Sequence, residues 1–217
     1  MVLTVCAPSG VKGTVAAPPS KSLAHRAVLC AALAVGPSQL ENLSFSQDIS
    51  ATLAAAGQLC AQVSTGPHSA QVEGLGHFRP LHGPVDCCES GSTLRFLIPL
   101  ASLSGQAVTF TGRGRLMERP QSVYERVFAQ QGLRLEHIPQ GLVVEGALRS
   151  GRYELAGDVS SQFISGLLFA LPLLEGDSTL QLLPPVESRS YIQLTRQVQQ
   201  RFGVHSRWLS ERELLIP

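Results

Sequence analysis

Three segments of the chain place serines directly before a long apolar run. They are Ser20-Lys21-Ser22, Ser90-Gly91-Ser92 and Ser160-Ser161-Gln162, which precede LAHRAVLCAALAV, TLRFLIPLASLS and FISGLLFALPLLE. The first turn of a helix has up to four backbone N–H groups without an intrahelical partner, and it carries a partial positive charge. If the apolar runs are helices, each of these starts is a candidate site for an anion.

Two cations favour a ligand at the first start. A helix that begins near Ser22 places Arg26 about one turn further along on the same face, close to Lys21. Two cations and two hydroxyls at a positively polarised helix end need an anion to balance them. The simpler interpretation is that Ser22, Ser92 and Ser161 are N-caps, each of which stabilises its helix by ~1 kcal/mol.

A further group of cations lies in the segment GRGRLMERP, which contains Arg113, Arg115 and Arg119. We predict that Pro120 is the first residue of a helix, so the backbone of Arg119 should be extended. These arginines either bind an anion or form a solvated loop. Tyr191 also has two interpretations, because its helical spacing suits the core and its hydroxyl would contact a ligand near the third helix start.

Glycines mark an internal repeat. The three apolar runs end near glycines that lie 69 and 71 residues apart, Gly36, Gly105 and Gly176. Each is followed by a strand-like run and a more amphipathic helix, and we predict that these second helices end at Gly57, Gly132 and Gly203. Alternating strand pairs come next, such as LRLEHI with GLVVEG and VHSRWL with ELLIP. A fixed period indicates one supersecondary unit that is used several times.

We therefore predict an α/β domain of three βαβαββ-like units, over about residues 17–85, 86–155 and 156–217. The first helix of each unit is apolar on nearly every face, so it should be buried. The simplest assembly has three buried helices in the centre, with the second helices and small sheets outside them. Such a domain is inside out compared with a barrel.

The composition fits a globular chain with one large core, since 44% of its 217 residues are hydrophobic and 15% are charged. A net charge of +1 gives no reason to expect nucleic acid or an anionic membrane as a partner, and the longest apolar run is too short to cross a bilayer. Nearly all the basic residues are arginines, which suits oxyanion ligands or reflects genomic base composition.

The cysteines and histidines predict no disulfide framework and no metal site. Five widely spread cysteines are an odd number, so buried free thiols in a reducing compartment explain them better. The pair Cys87-Cys88 lacks the spacing of a zinc site, and the histidines form no ligand motif. The N-terminus shows no signal peptide, so we expect a cytoplasmic protein.

Four motifs, in order along the chain, resemble those of the 5-enolpyruvylshikimate-3-phosphate (EPSP) synthases. PPSKSLAHR is similar to the Pro-Gly-Ser-Lys-Ser-x-x-x-Arg signature of that family, and GRGRLMERP to a second signature that ends in Arg-Pro. GDVSSQF and ESRSYI are similar to its Ser-Ser-Gln and Ser-x-x-Tyr segments. The resemblance covers essentially the whole chain and corresponds to the amino-terminal half of the family fold.

This resemblance implies a fold in which two domains of three repeats each close around the ligands. It implies transfer of the enolpyruvyl group of phosphoenolpyruvate to the 5-hydroxyl of shikimate 3-phosphate, in the pathway to chorismate and the aromatic amino acids, with no metal or organic cofactor. Residues 1–16 would be a strand and crossover joined to the absent domain. Residues 17–217 would be the domain that binds shikimate 3-phosphate.

The resemblance also implies a role for each matching residue. The 3-phosphate would be held by Ser160, Ser161 and Ser188. The ring and its carboxylate would be bound by Ser22, Arg26 and Tyr191. Gln162 would lie between the two ligands. Phosphoenolpyruvate would be held by Lys21, Arg119 and the Gly91 turn, with Lys21 near both ligands, and Lys21 and Arg119 would serve catalysis.

Two positions and the length depart from the family pattern. Glu89 stands where the family usually has asparagine, and its carboxylate opposes phosphate binding unless it turns away or pairs with Arg95 or Arg115. Pro19 replaces a glycine. The chain has three repeats where the family has six, and none of its four aspartates lies in a motif matching the family's proton-transfer carboxylates.

We therefore expect this chain to bind shikimate 3-phosphate without turnover unless a carboxy-terminal half is supplied. The strand within the first twenty residues would lack its sheet, so we expect it to be disordered or paired with a neighbouring copy. Two alternatives remain. One is half of a UDP-N-acetylglucosamine enolpyruvyl transferase-like enzyme, which the Ser-Lys-Ser-x-x-x-Arg and Ser-Ser-Gln groups disfavour, and the other is a non-catalytic ligand-binding domain.

Overall fold

The computed structural model describes residue 10 and residues 12–217. The predictions for residues 1–16, and for the strand within the first twenty residues, fall largely outside this part of the chain. The helices are α1 (Lys21–Leu33), α2 (Gln47–Leu59), α3 (Gly91–Ala101), α4 (Ser122–Gln131), α5 (Ser161–Ala170) and α6 (Arg189–Arg201), and a 3₁₀ turn over Leu171–Leu173 follows α5.

The strands are short and form three separate sheets. In chain order they are β1 (Gly36–Leu40), β2 (Ala61–Thr65), β3 (Ala70–Gly74), β4 (Val85–Asp86), β5 (Val108–Thr111), β6 (Arg134–Ile138), β7 (Gly141–Glu145), β8 (Arg152–Ala156), β9 (Ser178–Leu183), β10 (Arg207–Trp208) and β11 (Glu213–Ile216). The sheet orders are β1-β3-β2, β4-β5-β7-β6 and β10-β11-β9-β8. The strand pairs expected from LRLEHI and GLVVEG, and from VHSRWL and ELLIP, are β6-β7 and β10-β11.

Two helices are crossovers between parallel strands. β4 pairs in parallel with β5 across α3, and β8 pairs in parallel with β9 across α5. A parallel pair needs such a crossover. α3 and α5 pack chiefly against each other, and α5 also packs against α6, so both are buried along nearly their whole length. α4 and α6 are more exposed than α3 and α5, whereas α1 and α2 are buried to a similar degree. The unit boundaries given above stay a prediction.

The core is one continuous cluster around α3 and α5. These helices contact each other directly, and the Phe96 and Phe169 rings lie 5.3 Å apart in an edge-to-face arrangement. Gly166 makes the close approach possible, because a Cβ there would overlap the Arg95 carbonyl oxygen. α1 joins them through side chains and leaves Leu23 exposed on its outer face. The predicted buried helices are therefore found, with α1 the least enclosed.

Two predicted helix boundaries are wrong. Gly57 lies inside α2, which continues to Leu59, because its backbone there is ordinary helix and space remains beside Val63. Pro120 precedes α4 and is not its first residue. Its carbonyl accepts a hydrogen bond from the Arg95 guanidinium, whereas the first helical bond of α4 runs from Glu125 N–H to the Gln121 carbonyl.

No helix in the described part of the chain is both long and apolar enough to cross a bilayer.

Candidate functional site

The starts of α1, α3 and α5 meet at one cavity. Its volume is about 260 Å³, and the first turn of α6 closes one side. The lining residues are Ser22, Arg26, Ser92, Phe96, Ser160, Ser161, Gln162, Ser188 and Tyr191. Hydroxyls, an amide and a guanidinium thus face a common space, and none of these nine side chains is acidic.

Serines one or two positions earlier than expected cap the three helices. Ser20, Ser90 and Ser160 accept hydrogen bonds from backbone N–H groups of the first turn. The interpretation of Ser22, Ser92 and Ser161 as N-caps is therefore wrong, since these residues lie inside the helices.

This shift leaves hydroxyls available at the cavity. In the part of the chain that the structure describes, the hydroxyls of Ser22 and Ser161 take part in no protein hydrogen bond. Ser188, the residue before α6, likewise makes no capping bond and has a left-handed backbone with φ of 55°. Three serine hydroxyls are therefore free to bind a ligand.

Arg26 is a buried cation at the floor of the cavity. Its guanidinium donates to Thr195 Oγ1 at 2.8 Å, to the Ser22 carbonyl at 2.7 Å and to Ser165 Oγ at 3.2 Å. It also contacts the Tyr191 carbonyl and lies 5.1 Å from the centre of the Phe96 ring. Burial lowers the pKa of Arg26 to about 10, so the group remains charged at neutral pH. Its acceptors within the described residues are all neutral.

Tyr191 borders the cavity from the first turn of α6. Its side chain is 45% exposed, so its interpretation as a core residue is wrong. The ring lies 5.8 Å from the Arg26 guanidinium carbon. The buried face of α6 is made instead by neighbouring positions such as Ile192, Thr195 and Val198.

A second cluster of cations adjoins the cavity at the start of α3. The Arg119 guanidinium lies so close to Gly91 that a Cβ there would be 2.8 Å from Arg119 Nη1. Gln162 links the two clusters, because its amide donates to Ser92 Oγ and accepts from Arg95 Nη1, both at 2.9 Å. Burial chiefly lowers the pKa of Arg95, and the positive charge of Arg119 acts in the same direction.

Lys21 is not part of the cavity lining. Its ammonium group forms an ion pair with Asp48 of α2, with 2.6 Å between Nζ and Oδ2, and its side chain is about half exposed. Behind this pair, His25, Thr52, Thr93 and Ser90 form a buried chain of hydrogen bonds. The structure therefore brings together seven of the predicted site residues at the cavity, holds Arg119 beside Gly91, and leaves Lys21 on the rim.

Glu89 makes neither of the two pairings considered for it. Arg115 pairs with Glu118, and Arg95 binds Gln162. The Glu89 carboxylate lies instead beside Gly114 of the arginine-rich loop, where a Cβ would be 2.9 Å from Oε1. Its side chain is exposed and turned toward that loop.

Some residues of the site were not among the predicted ones. Ser92 and Phe96 line the cavity, Arg95 joins its two clusters, and Ser165 and Thr195 hold Arg26. Arg95 had a signal in the sequence, since it is a lone cation in the apolar run TLRFLIPL, as Arg26 is in its own run. Ser165 and Thr195 had none, because their role depends on how α5 and α6 pack against α1.

The arrangement is suited to a hydroxylated anionic ligand. Guanidinium groups and serine hydroxyls supply donors, and three helix starts add a positive potential. Within residue 10 and residues 12–217, no group of three or more His, Cys, Asp and Glu side chains is placed to hold a metal ion.

Comparison with solved structures defines the class of fold. An EPSP synthase from Acinetobacter baumannii superposes with a TM-score of 0.80 at 21% identity, over 94% of this chain and 46% of that one. The enolpyruvyl transferase NikO from Streptomyces tendae gives 0.66 at 16% identity, over 94% and 48%. The chain therefore has the fold of about one half of an enolpyruvyl transferase.

The sequence identifies the family within that class. The profile of EPSP synthase (3-phosphoshikimate 1-carboxyvinyltransferase) matches residues 5–214. The 3-phosphoshikimate 1-carboxyvinyltransferase of Clostridium kluyveri is 44% identical over 96% of this chain, and that of Clostridium perfringens is 41% identical over its full length. The chain belongs to the EPSP synthase family. It spans about half the length of these relatives, 50% and 52%.

Proposed function

We propose that this chain is the half of a 3-phosphoshikimate 1-carboxyvinyltransferase that binds shikimate 3-phosphate. The reaction moves the enolpyruvyl group of phosphoenolpyruvate to the 5-hydroxyl of shikimate 3-phosphate and releases phosphate. The observation that carries the proposal is the convergence of Arg26 and the serine hydroxyls on one cavity without an acidic lining residue. A ligand with a ring carboxylate and a phosphate matches such donors.

We propose the individual roles that the family resemblance implies. Ser160, Ser161 and Ser188 would bind the 3-phosphate, and Ser22, Arg26 and Tyr191 the ring and its carboxylate. Support comes from their common cavity and from the free hydroxyls of Ser22 and Ser161.

Phosphoenolpyruvate would bind at the second cluster, where Arg119 approaches Gly91 and Gln162 reaches toward both clusters. Lys21 would serve both ligands after it exchanges Asp48 for a phosphate. The charges of Lys21 and Arg119 would stabilise negative charge that develops in the reaction.

A carboxy-terminal half would be the partner needed for turnover. Enolpyruvyl transfer requires a proton at one carbon of phosphoenolpyruvate and removal of the hydroxyl proton. The carboxylates close to the site are unsuited to this, because Asp48 is paired with Lys21 and Glu89 lies beside the Gly114 turn.

We place the protein in the cytoplasm, where the free thiols of Cys30, Cys60, Cys87 and Cys88 would stay reduced.

Calorimetric titration with shikimate 3-phosphate tests the binding role. We expect saturable heat with the wild-type chain and a loss of affinity of tenfold or more in Ser161→Ala, since hydrogen bonds to charged groups contribute about 1.5–3 kcal/mol. Lys21→Ala should weaken binding as well. Ser64→Ala, on the exposed face of β2, is the matched control and should bind as the wild type does.

The absence of heat at millimolar ligand would leave a resemblance of fold without the proposed function. Equal affinities in Ser161→Ala and Ser64→Ala would move the phosphate away from the start of α5. A preference for a UDP-sugar over shikimate 3-phosphate would favour the related enolpyruvyl transferase instead.

A further inference from the structure

A second cavity lies at the opposite end of the helices from the serine-lined site. Its volume is about 120 Å³, and it lies where α1, α5 and α6 end. Because these helices have 10 to 13 residues and rise ~1.5 Å per residue, it is roughly 15–20 Å from the serine-lined site. Leu33, Phe169, Pro172, Leu173 and Phe202 supply most of its wall.

The wall carries no charge at neutral pH. Cys30 is its one ionisable lining residue, and burial raises the pKa of the Cys30 thiol to about 12. Leu173 is 47% exposed at the rim, and Leu33 and Phe202 are partly exposed, so the cavity opens to solvent. For scale, a dry apolar cavity of ~150 Å³ binds benzene in another protein.

Gln199, one of the lining residues, carries a buried polar atom without a partner among the described residues. Gln199 is 4% exposed, and within the described part of the chain its Oε1 accepts no hydrogen bond. The orientation of the amide is determined by its other end, because Nε2 donates to the Leu168 carbonyl at 2.5 Å. That carbonyl needs an outside donor, since the residue four positions later is Pro172, which has no N–H. A flipped amide would leave two acceptors facing each other.

We infer that this cavity binds a small apolar ring that carries one N–H or O–H donor, such as a phenol or an indole. The ring would fill the space between Phe169, Leu173 and Phe202, and its donor would bind Gln199 Oε1. A buried acceptor without a donor is costly, so a ligand that supplies one gains more than an apolar ring of equal size. This site is separate from the serine-lined cavity and does not depend on the proposed function.

Phenol and toluene are matched probes, because they have the same number of heavy atoms and differ in the donor. In ¹H–¹⁵N NMR titrations of the 217-residue chain, phenol should shift the side-chain amide resonances of Gln199 and bind about tenfold more tightly than toluene, the net value of one hydrogen bond. Gln199→Met, which removes the acceptor, should abolish this preference. Val204→Phe, which fills the cavity and leaves the Gln199 side chain in place, should abolish the binding of both probes.

Leu209→Phe adds the same ring at an exposed position outside the cavity and should behave as the wild type does. Equal affinities for phenol and toluene in the wild type would overturn the inference, as would failure of both to bind. Binding that persists in Val204→Phe would place the probes elsewhere and overturn it too. Shikimate 3-phosphate affinity should be unchanged in Gln199→Met, which separates this site from the proposed active site.

Discussion

At the scale of single residues, Arg26 is the most informative group. A buried charge destabilises a protein unless it is paired and hydrogen-bonded. Arg26 has its hydrogen bonds, but its acceptors are Thr195, Ser165 and backbone carbonyls, all of them neutral. One of its five N–H donors has no acceptor among the described residues, and Arg26 lines the cavity. This pattern fits a cation kept for a ligand rather than for stability.

Replacing Arg26 by methionine should separate binding from stability. We expect Arg26→Met to lose shikimate 3-phosphate affinity by about a hundredfold while the free energy of unfolding changes by less than about 1 kcal/mol. The loss of the Arg26 hydrogen bonds should be offset by the removal of a buried charge that has no charged partner among the described residues. Calorimetry and urea denaturation measure the two quantities.

Arg196→Met is the matched control for this variant. Arg196 is also buried, bonds to Ser206 and lies outside the cavity, so ligand affinity should be unaffected. Retained affinity in Arg26→Met would mean that Arg26 has a structural role only.

Residue types and spacing predicted Arg26 and the serines before the helices as candidate anion ligands, and the structure places them at one cavity, while their binding roles stay a prediction. The sequence was insufficient to say which serines cap the helices. The N-cap is Ser20 and not Ser22 in α1, and Ser160 and not Ser161 in α5. Which serine caps a helix depends on where the backbone before it takes up the helical conformation, and tertiary packing decides that.

At the scale of elements, the contact between α3 and α5 depends on Gly166. A Cβ at this position would overlap the Tyr124 hydroxyl and the Arg95 carbonyl oxygen of α3. Gly166→Ala should therefore lower the free energy of unfolding by ~1–3 kcal/mol through overpacking. Chemical denaturation measures the change.

Gly57 provides the opposite case within another helix. A Cβ there would make an ordinary contact of 3.7 Å with Val63 Cγ2. Gly57→Ala should raise the free energy of unfolding by ~0.5–1 kcal/mol, because alanine is favoured over glycine inside helices. Equal effects of the two substitutions would contradict the packing described for α3 and α5.

His25 joins α1 to α2 and α3, and it should make stability depend on pH. Burial lowers the pKa of His25 to about 4, with Asp48 acting against this and Lys21 and Arg26 acting with it. The unfolded chain takes up a proton near pH 6.5, and the folded chain does not until about pH 4. The free energy of unfolding therefore falls as the pH drops through this window, by about 2.5 kcal/mol at pH 4.5.

His25→Gln keeps a hydrogen-bonding group toward Thr52 and removes the titration. We expect the difference in free energy of unfolding between the wild type and this variant, measured by urea denaturation, to decrease by about 2.5 kcal/mol from pH 7 to pH 4.5. Parallel pH profiles for the two proteins would show that folding leaves the pKa of His25 unchanged.

Most elements could be predicted from their patterns, because apolar runs and alternating strands report burial directly. The helix ends at Gly57 and Pro120 could not. Glycine inside a helix is tolerated when its neighbours supply the packing, and the Pro120 carbonyl accepts a hydrogen bond from Arg95 of α3. Both are long-range effects that local sequence does not contain.

At the scale of the whole molecule, three units bring the starts of their buried helices to one cavity. The glycine spacing predicted three units. Their convergence could not be derived from spacing, since it depends on how three separate sheets wrap the same core, and it was expected only through the family resemblance.

Turnover should require a second half. We expect the isolated chain to release no phosphate from phosphoenolpyruvate and shikimate 3-phosphate, and a mixture with the carboxy-terminal half of the Clostridium kluyveri relative to release it measurably. A phosphate assay with each half alone is the control. Activity of the isolated chain would contradict the assignment of proton transfer to the other half.

The internal capping of α1, α3 and α5 has a consequence for ligand binding. Ser20, Ser90 and Ser160 accept hydrogen bonds from backbone N–H groups of the first turns, so these helix starts are held in place from within the protein. A ligand would meet them already ordered, which lowers the entropic cost of binding.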